Sequence, residues 1–426
     1  MIKKTKRKKV IHCNLSEIYS SIAYNPDTVV IIHAPKSCSH IVYNGLLNSK
    51  RKIFLKYRGD VPTVEDNLFV TCMSDKEAIF GGEKLLERSI ETVIESKHPK
   101  CVVVVSGCAA SVIGDDAQSV CDKVEKKYNV PIIFIPGSGF MSVQVKEGLL
   151  LTTEYLYNKL GNTAKKDKDK NLALILGLNK YQLFDWEFAE IKRLYQYFGY
   201  SKFLLPPSGL SVEEWNNISS ASIIGVYAPT IEKLKEYNKF MDDLAQRLSI
   251  PNIKNRLPLS ITDTYSYITE LGKVLGMEEI AKDAVATEEK RLASCFEHYK
   301  EILSGQKCAL ALGHPLKFIN VKELLNIFNS VGTEVTKIIL LNDLTDANVN
   351  EYQKYFIDLG INIKIVNEEM VDECYCSDEL IVTSIFNEKF KRQFYFRRKR
   401  IGIGGVEVLL SKLSETMINN RRLGHE

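Results

Sequence analysis

The sequence lacks the features of a membrane protein or an exported protein. No apolar run reaches the roughly 20 residues that a membrane-spanning helix needs. The basic segment Lys3–Lys9 is followed by residues without the apolar core or the small-residue cleavage site of a signal peptide. We therefore expect a cytoplasmic protein with no membrane partner.

Three other kinds of site are also missing from the sequence. The 57 basic and 53 acidic residues leave a formal net charge of +4, which is too small to indicate a nucleic-acid partner. None of the 10 cysteines forms a C-x-x-C pair or a Cys-His zinc spacing, so a self-contained zinc module is not expected. No G-x-x-x-x-G-K-[ST] motif occurs, so the chain is not a P-loop ATPase.

The first third of the chain alternates apolar strand signals with helical periodicity. Cys101–Gly107 is the clearest strand, because a continuous β-branched run bounded by glycine is typical of a strand buried on both faces of a parallel sheet. A single helix is predicted from Asp75 to about Ser96. Three further runs have the same strand character: Thr28–Ala34, Leu68–Cys72 and Pro131–Pro136. This alternation predicts a doubly wound parallel sheet.

The remaining two thirds repeat the same rhythm. A charged linker at Gly161–Asn171 separates the first sheet from a second set of strands, and Lys307–Gly313 opens a third. A chain of 426 residues is also too long for one core. We therefore predict an α/β protein of three successive Rossmann-like, doubly wound parallel-sheet domains, at residues 1–165, 166–305 and 306–426.

Three strand ends of the first domain carry a cysteine: Cys38, Cys72 and Cys108. Parallel strands bring their carboxyl ends to one edge of the sheet, where ligands bind, so the three thiols could converge. Cys108 is placed on a strand-end loop, and Asp115 and Asp116 are expected to cap and begin the next helix. Four cysteines lie in apolar patterns and are interpreted as core residues: Cys101, Cys121, Cys295 and Cys308. The C-x-C at Cys374 and Cys376 is also interpreted as structural.

Four segments of this domain have sequences that resemble known motifs. His33–Cys38 reads HAPKSC, Ser74–Lys84 reads SDKEAIFGGEK, and Ser106–Asp116 reads SGCAASVIGDD; Gly139-Phe140 and Gln144 follow. In this order and at these intervals, the segments resemble motifs of nitrogenase component 1 and its relatives. Those relatives include protochlorophyllide and chlorophyllide reductases, a nickel-sirohydrochlorin reductive cyclase and cofactor-assembly scaffolds.

The resemblance implies that Cys13, Cys38 and Cys108 are thiolate ligands of an iron–sulfur cluster at a subunit interface. The second subunit, a homodimer mate or a paralogous sister chain, would supply the remaining ligands. Electrons would come from a separate ATPase that resembles the nitrogenase iron protein. Cys72 is not at a usual ligand position of the family; it is either an extra ligand or a packed thiol.

Two departures from the family pattern refine this expectation. Ser37 replaces the glycine before the second cysteine, and Ala109 replaces the proline after the third. Ser37 is therefore a candidate to bind the cluster, and the change favours a compact [4Fe–4S] cluster over an eight-iron, P-cluster-like one. The late loop Arg400–Gly405 lacks the family's histidine, and the helix predicted at Thr230–Leu248 has no cysteine or histidine. No nitrogenase-type metal cofactor is therefore expected.

A basic run near the end of the chain offers candidates for binding a substrate. Five residues could meet the carboxylates of a tetrapyrrole-like substrate or an acidic cofactor: Lys391, Arg392, Arg397, Arg398 and Arg400. An RNA-binding strand or a strand with one charged face are the alternatives. His314, after the first strand of the third domain, is either a ligand-edge residue or a solvent-facing one.

The leading functional hypothesis is a nitrogenase-like reductase subunit whose substrate is open. A scaffold for assembling metal cofactors, a non-catalytic partner subunit and a metal-free α/β binding protein are the alternatives.

Overall fold

The computed structural model of the chain describes residues 14–38, 40, 42, 67–137, 148–161, 167–179, 183–360, 363–368, 380–387, 390–396 and 401–419. The strands are β1 Thr28–His33, β2 Leu68–Val70, β3 Cys101–Ser106, β4 Ile132–Pro136, β5 Leu172–Leu176, β6 Lys202–Leu204, β7 Ile223–Val226, β8 Asn252–Arg256, β9 Lys307–Leu312, β10 Glu334–Leu340, β11 Lys364–Asn367, β12 Leu380–Thr383 and β13 Gln393–Tyr395. The helices are α1 Asn14–Ile22, α2 Asp75–Phe80, α3 Glu83–Lys97, α4 Cys108–Ile113, α5 Ala117–Tyr128, α6 Gly148–Leu160, α7 Asp185–Gln196, α8 Val212–Asn217, α9 Ile231–Leu248, α10 Ile261–Leu275, α11 Glu278–Leu303, α12 Val321–Ser330, α13 Asp346–Asp358 and α14 Gly402–Asn419.

The first sheet has the strand order β2-β1-β3-β4 with parallel pairing throughout. Every residue of β1 and β3 is buried, which explains why both strands read as continuous apolar runs rather than alternating ones. Val29 and Ile31 of β1 and Val102 and Val104 of β3 pack in one core cluster with the apolar faces of α3 and α5. The predicted doubly wound parallel sheet is confirmed.

The second and third sheets have the orders β6-β5-β7-β8 and β11-β10-β9-β12-β13. The pairs β5–β6 and β5–β7 are parallel, and the third sheet is parallel throughout. Three parallel-strand sheets with intervening helices therefore confirm the predicted fold class. The structure also divides into two compact units, one of residues 1–184, 201–227 and 235–254 and one of residues 185–200, 228–234 and 255–426. The two boundaries between the three predicted domains stay a prediction.

Two helix predictions in the first unit were wrong. The single helix expected from Asp75 to Ser96 is two helices, α2 and α3, separated by a Gly-Gly pair. Gly81 has a φ of +85° and a ψ of 148°, a conformation that only glycine adopts readily, so the backbone turns there. The additional helix α4 begins at Cys108 and is followed by its C-cap Gly114, which has a φ of +81°.

Across the described part of the chain, no helix has both the length and the apolar character that a membrane crossing requires.

Candidate metal centre at the edge of the first sheet

The three cysteine-bearing loops of the first sheet follow neighbouring strands. β2, β1 and β3 lie side by side, and the paired residues Ile32↔Val70 and His33↔Ser106 bring their carboxyl ends to the same level. Cys38, Cys72 and Cys108 come just after these ends. The chain crosses from one side of β1 to the other between β2 and β3, so this edge is also the topological switch point where ligands of such sheets bind.

Each cysteine has its own local setting. Cys38 lies in a helical turn, where its N–H donates to the Pro35 carbonyl (3.0 Å), and it is half-buried. Cys72 is exposed and has a φ of +57°, which is rare for a residue other than glycine. Cys108 is half-buried and is the first residue of α4, with extended Gly107 as its N-cap. The prediction that Cys108 lies on a loop was therefore wrong, because the helix begins at Cys108 itself.

The loops after β1 and β3 approach each other closely. The Gly107 N–H donates to the His33 carbonyl oxygen (2.9 Å). A Cβ atom added to Gly107 would lie 2.7 Å from the Cβ of Ala34, closer than real side chains approach. Only glycine fits between these two loops, and their close contact fixes the positions from which Cys38 and Cys108 project.

The described cysteines fall into two classes by burial. Cys101, Cys121 and Cys308 are 0% exposed and Cys295 is 7% exposed. Burial raises the pKa of Cys121 to about 12 and that of Cys295 to about 11, so these thiols are protonated at neutral pH in the chain without metal. Their burial agrees with the interpretation that they are core residues. Cys38, Cys72 and Cys108 are the described cysteines that reach the surface.

The donor set visible at this edge is incomplete. Among the described residues, no three side chains of His, Cys, Asp and Glu are close enough together to hold a metal ion. Cys72 therefore does not complete a three-ligand group with Cys38 and Cys108, and Cys13 lies outside the described residues. Two surface-reaching thiols on adjacent, tightly packed loops are nevertheless the soft donors that iron–sulfur clusters take, so the residues fit such a group. Ser37, beside Cys38, is exposed.

A buried histidine joins the loops of this edge. The imidazole of His33, at the end of β1, is fully buried, with its Nε2 3.0 Å from Oδ2 of Asp115 and its Nδ1 3.1 Å from Oγ1 of Thr71. Burial lowers the pKa of His33, and the hydrogen bond and charge of Asp115 oppose this effect only in part. Oδ1 of Asp115 accepts the Gly82 N–H (2.8 Å). Sequence reasoning treated His33 only as part of a motif and missed this network.

The two neighbouring acids have different roles. Asp115 was predicted to cap the helix after Cys108, but its carboxylate is turned inward to His33. Asp116 is the actual N-cap of α5 and accepts the Ser119 N–H (3.0 Å). The signal that separates them is a strand-end histidine, because a buried imidazole requires hydrogen-bond partners.

An exposed apolar patch lies next to the same loops. Its residues are Ile79 and Phe80 of α2 and Val112 of α4, which are 74%, 79% and 65% exposed. The two helices contact each other, and none of the residues of α2 is buried. Large apolar side chains at this exposure, carried by two helices in contact, are candidates for an interaction surface.

The structure describes only some of the candidates for substrate binding. Arg397, Arg398 and Arg400 fall outside the described residues, as do the motif residues Gly139, Phe140 and Gln144 and the C-x-C cysteines. Arg392 donates through Nη2 to the Met417 carbonyl (3.1 Å), at the end of α14. His314 is half-buried, and its carbonyl oxygen accepts the hydroxyl of Tyr352 (2.7 Å).

The glycine-rich segment, in which a loop was expected, forms the first turn of α14 and packs on a carboxylate. The Gly404 N–H donates to Oε1 of Glu190 (2.9 Å), and Cβ atoms added to Gly402 or Gly404 would lie 2.5 Å and 2.8 Å from the Glu190 side chain. Glu190 is in turn bound by Arg193 and Arg291. Among the described residues, a carboxylate contacts this turn, and guanidinium groups bind that carboxylate.

Comparisons with known proteins agree with the fold and with the motifs of the first sheet. Residues 23–373 match the family described as nitrogenase component 1 type oxidoreductase. The nitrogenase iron-molybdenum cofactor biosynthesis protein NifE of Clostridium pasteurianum is 26% identical over 388 residues, 83% of this chain and 77% of that protein. The nitrogenase molybdenum-iron protein alpha chain of Methanosarcina barkeri is 20% identical over 368 residues, 86% of this chain and 65% of that protein. The solved structure of nitrogenase Cp1 at pH 5 covers 98% of this chain and 90% of its own, with a TM-score of 0.65 and 18% identity, which shows a shared fold.

Proposed function

The chain belongs to the nitrogenase component 1 type oxidoreductase family, and from this premise we propose that it is a reductase subunit that passes electrons through an iron–sulfur cluster. The observation that carries the proposal is the pair Cys38 and Cys108. Both are half-buried thiols on neighbouring, closely packed loops at the switch point of a parallel sheet. The four buried cysteines lack this access to a cluster or a partner.

The proposed ligand set is Cys13, Cys38 and Cys108, with the remaining ligands from a second copy of the chain or a sister subunit. A cluster bound here would supply one-electron transfer. The protein would contribute the thiolates, a fixed spacing between the loops of β1 and β3, and a buried layer below them. Ser37, exposed beside Cys38, would face the cluster and favours a [4Fe–4S] form.

The electron donor in this proposal is an ATPase that resembles the nitrogenase iron protein. Ile79, Phe80 and Val112 offer it a docking surface beside the cluster loops. Docking at this patch would shorten the path between the donor and the cluster, and the apolar area buried would stabilise the complex.

The substrate would be an anionic organic molecule rather than dinitrogen. The basic side chains of Arg397, Arg398 and Arg400 suit carboxylates of a tetrapyrrole-like compound. The Glu190 carboxylate that packs on the glycine-rich first turn of α14 supports the view that no nitrogenase-type metal cofactor is bound there.

A scaffold for cofactor assembly is the second candidate. It is favoured by the similarity over 83% of this chain to a relative whose printed name is a cofactor biosynthesis protein. Such a scaffold would use the same cluster edge but would transfer a metal cofactor to another protein instead of reducing an organic substrate.

The cluster is tested by anaerobic purification of the wild type, Cys38→Ala and Cys108→Ala, followed by iron and sulfide analysis and electron paramagnetic resonance. The wild type is expected to contain iron and sulfide in equal amounts, and each variant is expected to lose most of both. Cys121→Ala is the matched control, because it removes a buried thiol and should keep wild-type iron.

Full iron content in either ligand variant, or the same loss in Cys121→Ala, would refute the ligand assignment. With the cluster established, adding an iron-protein-like ATPase, ATP and dithionite should reduce it only when ATP is hydrolysed.

A further inference from the structure

One carboxylate links three loops of the candidate metal centre. Oδ1 of Asp115 accepts the Gly82 N–H at 2.8 Å, and Oδ2 lies 3.0 Å from Nε2 of His33. The other ring nitrogen of His33 lies 3.1 Å from Oγ1 of Thr71, which also accepts the Ala34 N–H at 3.2 Å. The contacts run without a gap from the end of α2 to the turns after β1 and β2.

The hydrogen-bond partners of His33 and Thr71 determine which atoms of this network carry a hydrogen. The Asp115 carboxylate can only accept, so Nε2 of His33 carries the hydrogen. Nδ1 of a neutral imidazole then accepts from the hydroxyl of Thr71, and the hydroxyl oxygen accepts from Ala34. Every polar group in the path is paired, which is the condition under which a buried polar network stabilises a single arrangement.

Helix α2 depends on its ends for its position. None of its residues is buried, so packing contributes little to placing it. The Met73 N–H, just before the helix, donates to the Ala34 carbonyl (3.2 Å), and Gly82, just after it, donates to Asp115. A Cβ atom added to Gly82 would lie 2.7 Å from Oδ2 of Asp115 and 2.8 Å from Cε1 of His33, so the helix end rests directly on the pair.

We propose that Asp115 and His33 are positioning residues that hold α2, with its exposed Ile79 and Phe80, at a fixed place relative to the loops carrying Cys38 and Cys72. A partner seated on α2 would then meet the cluster loops in one geometry. The inference rests on the proposed function only for what docks there; the positioning itself is a property of the chain without metal.

The test is amide hydrogen exchange on the cluster-free, full-length protein. Asp115→Ala removes the acceptor for both Gly82 and His33, so the amides of Gly82 and Ala34 should exchange about tenfold faster or more. Asp115→Asn keeps an oxygen for Gly82 and presents its amide NH2 to His33, which accepts at Nε2 when the imidazole carries its hydrogen on Nδ1 and donates it to Thr71. This variant should restore exchange to within about threefold of wild type.

Asp116→Ala is the matched control. It removes the same charge from the next residue but should speed exchange only in the first turn of α5, whose cap it is. The reconstituted cluster of Asp115→Ala should also show an altered paramagnetic resonance signal, while that of Asp116→Ala should match wild type.

Equal exchange at Gly82 in the Asp115→Ala and Asp116→Ala proteins would overturn the proposal, as would faster exchange spread evenly over the whole first sheet. If Asp115→Ala does not fold, His33→Gln decides. Its amide can replace Nε2 toward Asp115 but not Nδ1 toward Thr71, so Ala34 should exchange faster while Gly82 stays slow, and any other pattern refutes the positioning role. Iron analysis of the wild type tests the cluster separately, so failure of one idea does not imply failure of the other.

Discussion

Replacing Arg193 by methionine would break a buried ionic cluster in the second compact unit. Arg193 lies between two carboxylates, with its Nε 2.9 Å from Oε2 of Glu190 and its Nη2 2.8 Å from Oε2 of Glu288. Glu190 is 4% exposed and Glu288 is 0% exposed. Arg291 and Glu407 complete the cluster, so Arg193 is one of two cations among three anions.

The cost follows from what the variant leaves behind. Breaking a buried ion pair by removing one partner costs about 3–5 kcal/mol, because the remaining charge stays buried without its counter-ion. Here two buried carboxylates would share the single guanidinium of Arg291. We therefore expect Arg193→Met to lower the free energy of unfolding by about 3–5 kcal/mol at pH 7, and the melting temperature by roughly 10 °C.

The pH dependence of this cost has a definite sign. Burial raises the pKa of Glu190, but the hydrogen bonds and charge of Arg193 outweigh burial, so the pKa lies below its ordinary value. In the wild type this lowered pKa contributes stability that is present above the unfolded-state value, about 4.3, and is lost as the pH falls through the folded-state value. Without Arg193 the carboxylate takes up a proton at higher pH. The destabilisation relative to wild type should therefore shrink between pH 7 and pH 4.

Urea unfolding followed by circular dichroism measures the effect, with Lys192→Met as the matched control. Lys192 is the preceding residue on α7 and lies over the ring of Phe188, so its removal takes away the same charge without exposing a buried carboxylate. A second change tests the cause: Glu288→Met in the Arg193→Met protein should recover more than about 1 kcal/mol. A cost below about 1 kcal/mol for Arg193→Met, or no recovery in the double variant, would refute the reasoning.

Three further predictions concern the edge of the first sheet and the late loop. Gly107→Ala should cost about 1–3 kcal/mol and reduce bound iron, measured by urea unfolding and iron analysis, because its Cβ would lie 2.7 Å from that of Ala34. Phe80→Ser, at a side chain that is 79% exposed, should change stability by less than about 0.5 kcal/mol and weaken binding of an iron-protein-like ATPase in a pull-down or calorimetric titration. Gly404→Ala should cost about 1–3 kcal/mol in urea unfolding, because its Cβ would meet the Glu190 carboxylate at 2.8 Å.

The sheets could be predicted from sequence because their strands are buried on both faces. Cys101–Ser106 has no polar residue until its last position, and such a run has few alternatives to a central parallel strand. The convergence of three cysteine-bearing loops followed from the same fact, since neighbouring parallel strands end at one edge. Periodicity placed α5 and the stretch that forms α3, because each shows an apolar stripe that packs on the sheet, but it did not reveal where α3 begins.

The details that sequence reasoning missed depend on contacts distant along the chain. The break between α2 and α3 is stabilised when Gly82 donates to Asp115, a residue from a different strand end. Asp115 looked like a helix cap, since an acid before a helical pattern usually is one, and only the tertiary position of His33 shows its other role. The ionic cluster around Arg193 joins α7, α11 and α14, and no local pattern in the sequence links these helices.

The two candidate functions share the edge of the first sheet, so changes to Cys38, Cys108 or Gly107 should impair either one. They differ in where the electrons or the metal go after the cluster. A reductase should consume ATP and reducing equivalents in proportion to an organic product, and that product should disappear when Arg397, Arg398 and Arg400 are replaced by glutamine while cluster reduction continues. A scaffold should show ATP-dependent cluster reduction without organic turnover, together with transfer of metal to an acceptor protein. Product formation and cluster reduction should therefore be measured in the same variants. A variant that still reduces its cluster but forms no organic product identifies the reductase, and this comparison does not depend on the cluster edge that both functions share.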